Sequence, residues 1–182
     1  MKIPRGPIKA GDCSPPAPTG KWEIADKDLL AAVGLFVLAW SSLESAIEAG
    51  IYKQTGLTPL DSSIITAGLG FKSRSLILSS LLNRNSEKNA RAIAIIKKMQ
   101  KVSDRNDILH GVTGGAKHGI WFNRRKTNFK FTSKFENYDT KRLLTLSLQC
   151  NKLAENLLKE LKISKNEYVH FHQEVHNKAN NL

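Results

Sequence analysis

Hydrophobic residues recur at alternating steps of four and three along the chain from about residue 26. The first and longest series consists of Leu29, Val33, Phe36, Trp40, Leu43, Ile47 and Ile51. This spacing places the apolar side chains on one face of an α-helix, which suits packing along other helices. Gly56 follows the series. The pattern therefore predicts a long core helix that ends near Gly56.

Two further helices are expected in the middle of the chain. Between them and the first helix, Pro59 and the small residues up to Gly70 indicate an irregular connection. The apolar side of the shorter helix that follows consists of Leu76, Ile77, Leu81 and Leu82. Ser86 is a candidate N-cap for a third helix, and Gly111 is suited to its C-terminal end. Apolar positions of that third helix include Ile93, Ile96, Met99 and Val102.

The period changes to two after Gly111. The stretch "GIWFNRRKTNFKFTSKF" alternates aromatic with polar or basic residues around "NRRKTN". This predicts a β-hairpin over about residues 118–135, with an exposed turn that contains "NRRK". Asp139 is a candidate cap for the last long helix. The apolar positions of that helix are Leu143, Leu146, Cys150, Leu153, Leu157 and Leu161.

These elements predict a mainly all-α fold. We expect an antiparallel bundle of about four helices, with the small hairpin inserted before the last long helix. Residues 26–163 form the predicted domain, and residues 1–25 form a tail rich in proline and glycine that we expect to be disordered. Residues 164–182 are compatible with either a helical extension or a frayed tail.

Cysteine usage and hydropathy indicate a cytoplasmic protein. Cys13 and Cys150 lie far apart in different contexts, which suggests neither a disulfide framework nor a zinc site. The most apolar run, residues 29–40, is too short to span a bilayer and too far from the start for a signal peptide. The sequence therefore predicts a core helix at this run and no membrane location.

The charge balance is strongly basic, with 28 Lys and Arg against 16 Asp and Glu and a formal net charge of +12. Such a balance suits nucleic acid or an anionic membrane surface, and it also fits a generally basic surface without a specific ligand. The segment 112–135 contains no acidic residue, and four aromatic residues interleave its cations. Such aromatics either stack on RNA bases or pack against the helices. The predicted RNA-binding residues are Lys117, Arg124, Arg125, Lys126 and Lys130.

The stretch "RNDILHG" combines groups that suit phosphate chemistry. Arginine can hold two phosphate oxygens, and histidine transfers protons near neutral pH. In a regular helix, Asn106 and His110 share a face, whereas Arg105 diverges from His110 by about 140°. The helix must therefore end between Arg105 and His110, or a second copy of the segment must complete the site. Capping of a helix C-terminus is the simpler role for both cations.

The order of these features resembles the HEPN superfamily over roughly residues 26–163. The features are a long first helix with "WSSLE", "RNDILHG" late in a helix, a hairpin and a final amphipathic helix. The resemblance implies an endoribonuclease that needs no metal and no cofactor, acts on single-stranded RNA and leaves 2′,3′-cyclic phosphate ends. It assigns His110 as general acid or base, Arg105 as transition-state stabiliser and Asn106 as an orienting residue. Glu44 either supports this site or is a solvated residue at the edge of the helix seam.

The resemblance also implies partners. A homodimer would place two copies of the motif around one scissile bond, and a nucleotidyltransferase-like antitoxin would fit a toxin or phage-defence role. Two alternatives stay open: a non-catalytic module that binds nucleotide or RNA, and a structural partner that docks a second protein. Three histidines near the C-terminus resemble a metal cluster only loosely and are expected to be uncoordinated. They are His170, His172 and His176.

Overall fold

The computed structural model describes residues 27–102, 112–116, 119–126 and 132–179. The chain is predominantly helical over these residues, which agrees with the expected mainly all-α class. The predicted N-terminal tail, residues 1–25, lies outside the described residues, and so does the motif at 105–111. The described helices are α1 (Lys27–Thr55), α2 (Pro59–Ala67), α3 (Phe71–Asn83), α4 (Ser86–Lys101), α5 (Thr140–Glu160) and α6 (Lys165–Ala179).

Helix α1 follows the predicted seam. Six of its seven predicted apolar positions are buried, and the seventh, Val33, packs against the core as a half-buried residue. The helix ends at Thr55, and Gly56 adopts a φ of 68°. A residue with this left-handed conformation ends a helix without steric strain when it lacks a Cβ atom, as glycine does. The predicted core helix and its end are confirmed.

The irregular connection predicted after Gly56 is wrong, because α2 occupies most of it. Thr58 is the N-cap of α2, and its hydroxyl oxygen accepts a hydrogen bond from the backbone N–H of Asp61 at 3.2 Å. Pro59 occupies the first turn, where a helix does not need its N–H. The sequence "TPLD" therefore contains a local helix start, which outweighs the small residues that follow it.

Two details of the middle helices also differ from expectation. Three of the four predicted apolar positions of α3 face the core: Leu82 is buried, and Ile77 and Leu81 are half-buried. The fourth, Leu76, is 52% exposed, and Leu78 is buried in its place. Ser86 is the first residue of α4 rather than its cap, because Asn85 holds the N-cap position. The Asn85 side chain makes no capping hydrogen bond there.

Contacts between α1 and α3 show that the two helices run in the same direction. The ring of Phe71, at the start of α3, lies 4.8 Å from that of Trp40, whereas Leu78 lies beside Gly50 further along. A Cβ atom at Gly50 would come within 2.8 Å of side-chain atoms of both Leu78 and Leu161. Gly50 thus allows α1 to approach α3 and the end of α5 closely.

The last long helix, α5, begins as the sequence predicts. The carboxylate of Asp139 accepts a hydrogen bond from the backbone N–H of Arg142 at 2.7 Å, which confirms it as the N-cap. Most of the predicted apolar positions of α5 are buried, and α5 packs extensively along α1. Burial raises the pKa of the Cys150 thiol to about 11, so this cysteine acts as a small apolar core residue.

The segment after residue 163 is a helix packed against α1, not a frayed tail. Ser164 and Glu167 form a reciprocal capping box, with hydrogen bonds of 2.8 and 3.2 Å. Phe171 is 2% exposed, and its ring lies 5.2 Å from that of Tyr52. Glu167 contacts Lys53 near the end of α1. Helix α6 therefore belongs to the same core as α1.

A three-stranded antiparallel sheet lies between α4 and α5 in the chain, in the order β1–β2–β3. Its strands are β1 (Val112–Ala116), β2 (Gly119–Lys126) and β3 (Thr132–Tyr138). Strand β1 was not predicted, since its sequence "VTGGA" contains two glycines, which are depleted in strands. Residues 124–126 lie in β2, so their predicted place in an exposed turn is wrong. Arg124 pairs with Lys134 in the register of β2 and β3.

Helix α1 bears on the membrane question. Its 29 residues are long and apolar enough to cross a bilayer, by length and composition only. The buried core helix of a soluble protein meets the same two criteria. From the sequence, a membrane span is excluded because the apolar run 29–40 is too short. This reason does not apply to α1 as a whole, because the helix is more than twice as long as the run.

The first testable prediction concerns α6. Replacing buried Phe171 by alanine should lower the free energy of unfolding by about 3–5 kcal/mol, because it leaves a cavity against α1. Val169→Ala, on the exposed side of the same helix, serves as the matched control and should cost far less. Urea unfolding monitored by circular dichroism measures both. Equal effects of the two substitutions would show that α6 does not contribute to the core.

Candidate functional site

The predicted catalytic residues Arg105, Asn106 and His110 lie outside the described residues. Their neighbours in the chain are described: α4 ends at Lys101 and β1 begins at Val112. Two predicted RNA-binding residues, Lys117 and Lys130, also lie outside. The other three, Arg124, Arg125 and Lys126, are consecutive residues of β2.

Glu44, the predicted supporting residue, takes part in a largely buried cluster of charges. Its carboxylate lies 3.6 Å from Nη2 of Arg74 on α3. Arg74 also donates a hydrogen bond from Nη1 to Glu48, one turn further along α1. The side chains of Glu44 and Arg74 are only 18% and 14% exposed, so the interpretation of Glu44 as a solvated residue is wrong.

This cluster joins α1 to α3 through the guanidinium group of Arg74. Arg74 faces two carboxylates, so the three side chains carry a formal net charge of −1. Such a charge would repel a phosphate group, and the guanidinium is already engaged by acids of the same chain. The cluster links the two helices through charged contacts, and its excess of carboxylates does not suit anion binding.

A second polar cluster joins α1 to α6. The hydroxyl of Tyr168 donates a hydrogen bond to Oγ of Ser45 at 2.8 Å. Oγ of Ser45 lies 2.6 Å from Nε2 of His172. His172 thus lies against α1, although the two residues are 127 positions apart in the sequence. Tyr168 and His172 are four residues apart on α6, a spacing that places both side chains toward Ser45.

Burial sets the protonation state of this second cluster. Desolvation lowers the pKa of His172 from its ordinary value of 6.5, and the nearby charge of Glu48 acts in the opposite direction. The ring is therefore neutral at pH 7, and Nε2 can accept the proton of the Ser45 hydroxyl. With the His172 proton on Nδ1, the hydrogen bonds run from Tyr168 through Ser45 to His172.

A serine bonded to a neutral histidine has two of the groups that nucleophilic catalysis needs. Acyl transfer also needs hydrogen-bond donors aimed at the oxyanion. Ser45 lies in the middle of α1, where the backbone N–H groups are used within the helix. The nearest backbone therefore offers no oxyanion donors. The arrangement is better suited to holding α6 on α1 than to hydrolysis.

A cleft of about 480 Å³ opens between the end of α1 and the start of α6. Tyr52 and Phe171 contribute aromatic surface, and Lys53 and Glu167 contribute charge. The two charges are paired at 2.6 Å. Hydrogen bonds from Lys53, and then from Ser164, lower the pKa of Glu167 to about 2. Because these charges neutralise each other, the cleft has little preference for an ion of either sign.

Metal ligands are not grouped in the part of the chain that the structure describes. No set of three or more histidine, cysteine, aspartate or glutamate side chains is placed there to hold a metal ion. His170 and His172 have separate partners, since His170 lies 3.8 Å from Glu174 and His172 contacts Ser45.

Comparisons with protein-family models, with curated proteins and with solved structures find no match to this chain.

The second testable prediction concerns the cluster between α1 and α3. Arg74→Met should destabilise the protein by about 3–5 kcal/mol, because it leaves two carboxylates largely buried without their cation. Lys53→Met removes the cation of an exposed pair and should cost about 1 kcal/mol or less. Adding Glu44→Gln and Glu48→Gln to Arg74→Met should recover much of the loss. Equal costs for Arg74→Met and Lys53→Met, measured by urea unfolding, would contradict the importance of the buried cluster.

The third prediction concerns His172 and pH. Because burial lowers its folded pKa, the unfolded chain binds this proton more readily than the folded chain. Its contribution to stability is fully present above pH 6.5 and is lost as the pH falls through the lower folded pKa. His172→Gln should make the free energy of unfolding less dependent on pH below 6.5. His170→Gln, on the exposed side of α6, is the control. A pH dependence that His172→Gln leaves unchanged would refute this role.

Proposed function

We propose that this protein is a HEPN-type helical bundle with an inserted hairpin and that it functions as a cytoplasmic, metal-independent endoribonuclease. Its substrate would be single-stranded RNA. The observation that carries the proposal is the segment "RNDILHG", which follows α4 in a predominantly helical chain and precedes a basic sheet. A toxin or phage-defence effector would need an activity of this kind, and a nucleotidyltransferase-like antitoxin would be a suitable partner.

The proposed chemistry uses only side chains of the motif. Cleavage requires the ribose 2′-hydroxyl to lose its proton while its oxygen attacks the adjacent phosphorus. The 5′-oxygen leaves with a proton, and the product carries a 2′,3′-cyclic phosphate. His110 would transfer a proton, since histidine titrates near neutral pH. Arg105 would stabilise the extra charge on the phosphorane, and Asn106 would orient the phosphate or His110.

Two protomers would complete the site. One imidazole cannot be both protonated and unprotonated in the same step, so the acid and the base are supplied most simply by two copies of His110. A two-fold axis near the motif would bring both copies of His110 and Arg105 to one scissile bond. We therefore propose a homodimer with the two "RNDILHG" segments facing each other. Glu44 would have an indirect role at most, through the packing of α1 on α3.

The basic sheet supports RNA as the substrate. In the β2–β3 register, Arg124 lies directly opposite Lys134. Both positions carry cations in the sequence, which suits a bound polyanion. Arg125 and Lys126 continue the run of cations along β2. Lys117 and Lys130 are part of the same basic region of the sequence.

A second candidate function is supported by exposed leucines on α1. Leu30 and Leu35 are each 50% exposed, and Leu38 is 66% exposed. Large apolar side chains that stay in contact with water are typical of surfaces that bind another protein. Within the alternative of a non-catalytic HEPN-like module that recognises a nucleotide, RNA or a protein, this observation favours a protein partner.

The fourth prediction tests the proposed activity. The purified protein should cleave single-stranded RNA in the presence of EDTA and leave 2′,3′-cyclic phosphate ends. His110→Ala should lower the rate by roughly 10²–10⁴-fold, the usual size of a general acid–base contribution. Arg105→Ala should lower it to a similar degree, because it removes charge stabilisation at the phosphorane. Arg105→Lys should restore little activity if a bidentate contact is needed.

The control for this experiment is His170→Ala, which removes an exposed histidine of α6 and should leave cleavage unchanged. Equal activity of the wild type and His110→Ala would identify a contaminating nuclease and refute the proposal. Absence of cleavage across a broad panel of RNAs, with and without the product of the neighbouring gene, would favour the non-catalytic module.

A further inference from the structure

Helix α4 carries an unbalanced row of cations on its outward side. The acid of this helix, Glu87, lies in its first turn, and from Lys88 to Val102 the sequence contains no aspartate or glutamate. The cations in this stretch are Lys88, Arg91, Lys97, Lys98 and Lys101, and all five are exposed. None of them makes an ion pair with a carboxylate of the described residues. We call these five residues the α4 basic stripe.

Helix stability alone does not explain the stripe. Cations in the last turn of a helix interact favourably with its dipole, which accounts for Lys98 and Lys101. Lys88 and Arg91 lie near the N-terminal end, where the dipole disfavours a positive charge. Like charges one turn apart also repel each other. Glu87 offsets part of this repulsion near the N-terminal end, since it lies four residues before Arg91. Lys97, Lys98 and Lys101 have no acid within one turn of α4, and a bound polyanion would offset their mutual repulsion.

Helix α6 and the C-terminal half of α5 interleave cations with acids on their surfaces. On α5, Lys152 and Lys159 alternate with Glu155 and Glu160. On α6, Lys178 pairs with Glu174 at 2.5 Å. The stripe therefore differs from these surfaces in having cations without interleaved acids, although its helix belongs to the same domain.

We propose that the α4 basic stripe binds the phosphate backbone of single-stranded RNA and guides the strand toward the "RNDILHG" segment. The stripe extends over about 20 Å, since 13 residues separate Lys88 from Lys101 at 1.5 Å each. Four peptide units separate Lys101 from Arg105, so chain length alone keeps their Cα atoms within about 14 Å. The guiding role rests on the proposed ribonuclease function. RNA binding by the stripe does not.

The outward side of α4 favours RNA over a membrane surface. A helix that lies in a membrane interface presents large apolar side chains between its cations. The exposed residues between the cations of α4 include Ala90 and Ala94, which are too small for this role. The larger Ile93 and Ile95 are half-buried and pack against the core. The stripe thus offers charge to a partner and very little apolar surface.

The fifth prediction tests the stripe by its salt dependence. The triple variant Arg91→Gln, Lys98→Gln and Lys101→Gln is made in the full chain carrying His110→Ala, so that RNA is bound without being cut. Binding of a fluorescent 20-nucleotide single strand is measured by anisotropy over a range of salt concentrations. Each phosphate contact on a single strand contributes about 0.7 to the slope of log K against log salt. The triple variant should make that slope shallower by about 2, because three contacts are lost.

A matched control keeps the same change in net charge. Lys152→Gln, Lys159→Gln and Lys165→Gln remove three exposed cations from α5 and α6, where acids lie nearby. The slope of this control should stay close to that of the parent protein. Circular dichroism and urea unfolding check that both triple variants are folded. Equal slopes for the two triple variants, or no binding of RNA by the parent, would overturn the proposal.

Two further results separate this proposal from its alternatives. If the stripe variant loses binding to phosphatidylserine vesicles but keeps its RNA affinity and slope, the surface binds membranes and the proposal is wrong. If the wild type does not cleave RNA but the slope still depends on the stripe, the ribonuclease function fails and the binding site stands. If the wild type cleaves RNA but the slope is insensitive to the stripe, the ribonuclease function stands and RNA binding by the stripe is wrong.

Discussion

The structure depends on the packing of one long helix against four others. Helix α1 contacts α2, α3, α5 and α6, so its apolar seam is covered from several directions. Gly50 shows how close this packing is, because a methyl group there would meet Leu78 and Leu161. A protein interior of this density tolerates few voids, so the positions of the neighbouring helices are coupled through α1.

Polar residues in the middle of α1 then decide how those neighbours are aligned. Glu44 and Glu48 meet Arg74 of α3, whereas Ser45 meets Tyr168 and His172 of α6. A buried charge or hydroxyl without its partner is expensive, so each polar contact adds a requirement to that of apolar packing. The two clusters therefore favour one register of α3 and one of α6 along α1. Their main contribution is to alignment, because buried ion pairs add little net stability.

Two groups of charged residues in this chain have different uses. The first joins helices within the protein and consists of the pair of Lys53 with Glu167 and the cluster of Arg74 with Glu44 and Glu48. The second consists of the cations of α4 and β2, which precede and follow the "RNDILHG" segment in the sequence. The proposed function uses only the second group. The excess positive charge of the chain is thus concentrated around the segment to which we assign the chemistry.

Local patterns in the sequence determined most of the helices, whereas contacts between distant residues were decided by the tertiary structure. The seams of α1 and α5 and the Asp139 cap follow from spacing within a few residues, so they could be predicted. The capping signals "TPLD" and "SKNE" were also local, and they would have identified α2 and α6. The partners of Glu44 and Ser45 could not be found in this way, because Ser45 and His172 are 127 residues apart. Nor could the burial of Leu78 in place of Leu76, since both fit a helical pattern and only the approach to Gly50 distinguishes them. A sequence records which side chains share a face of one helix, but the choice of the opposing helix depends on how all of them pack together.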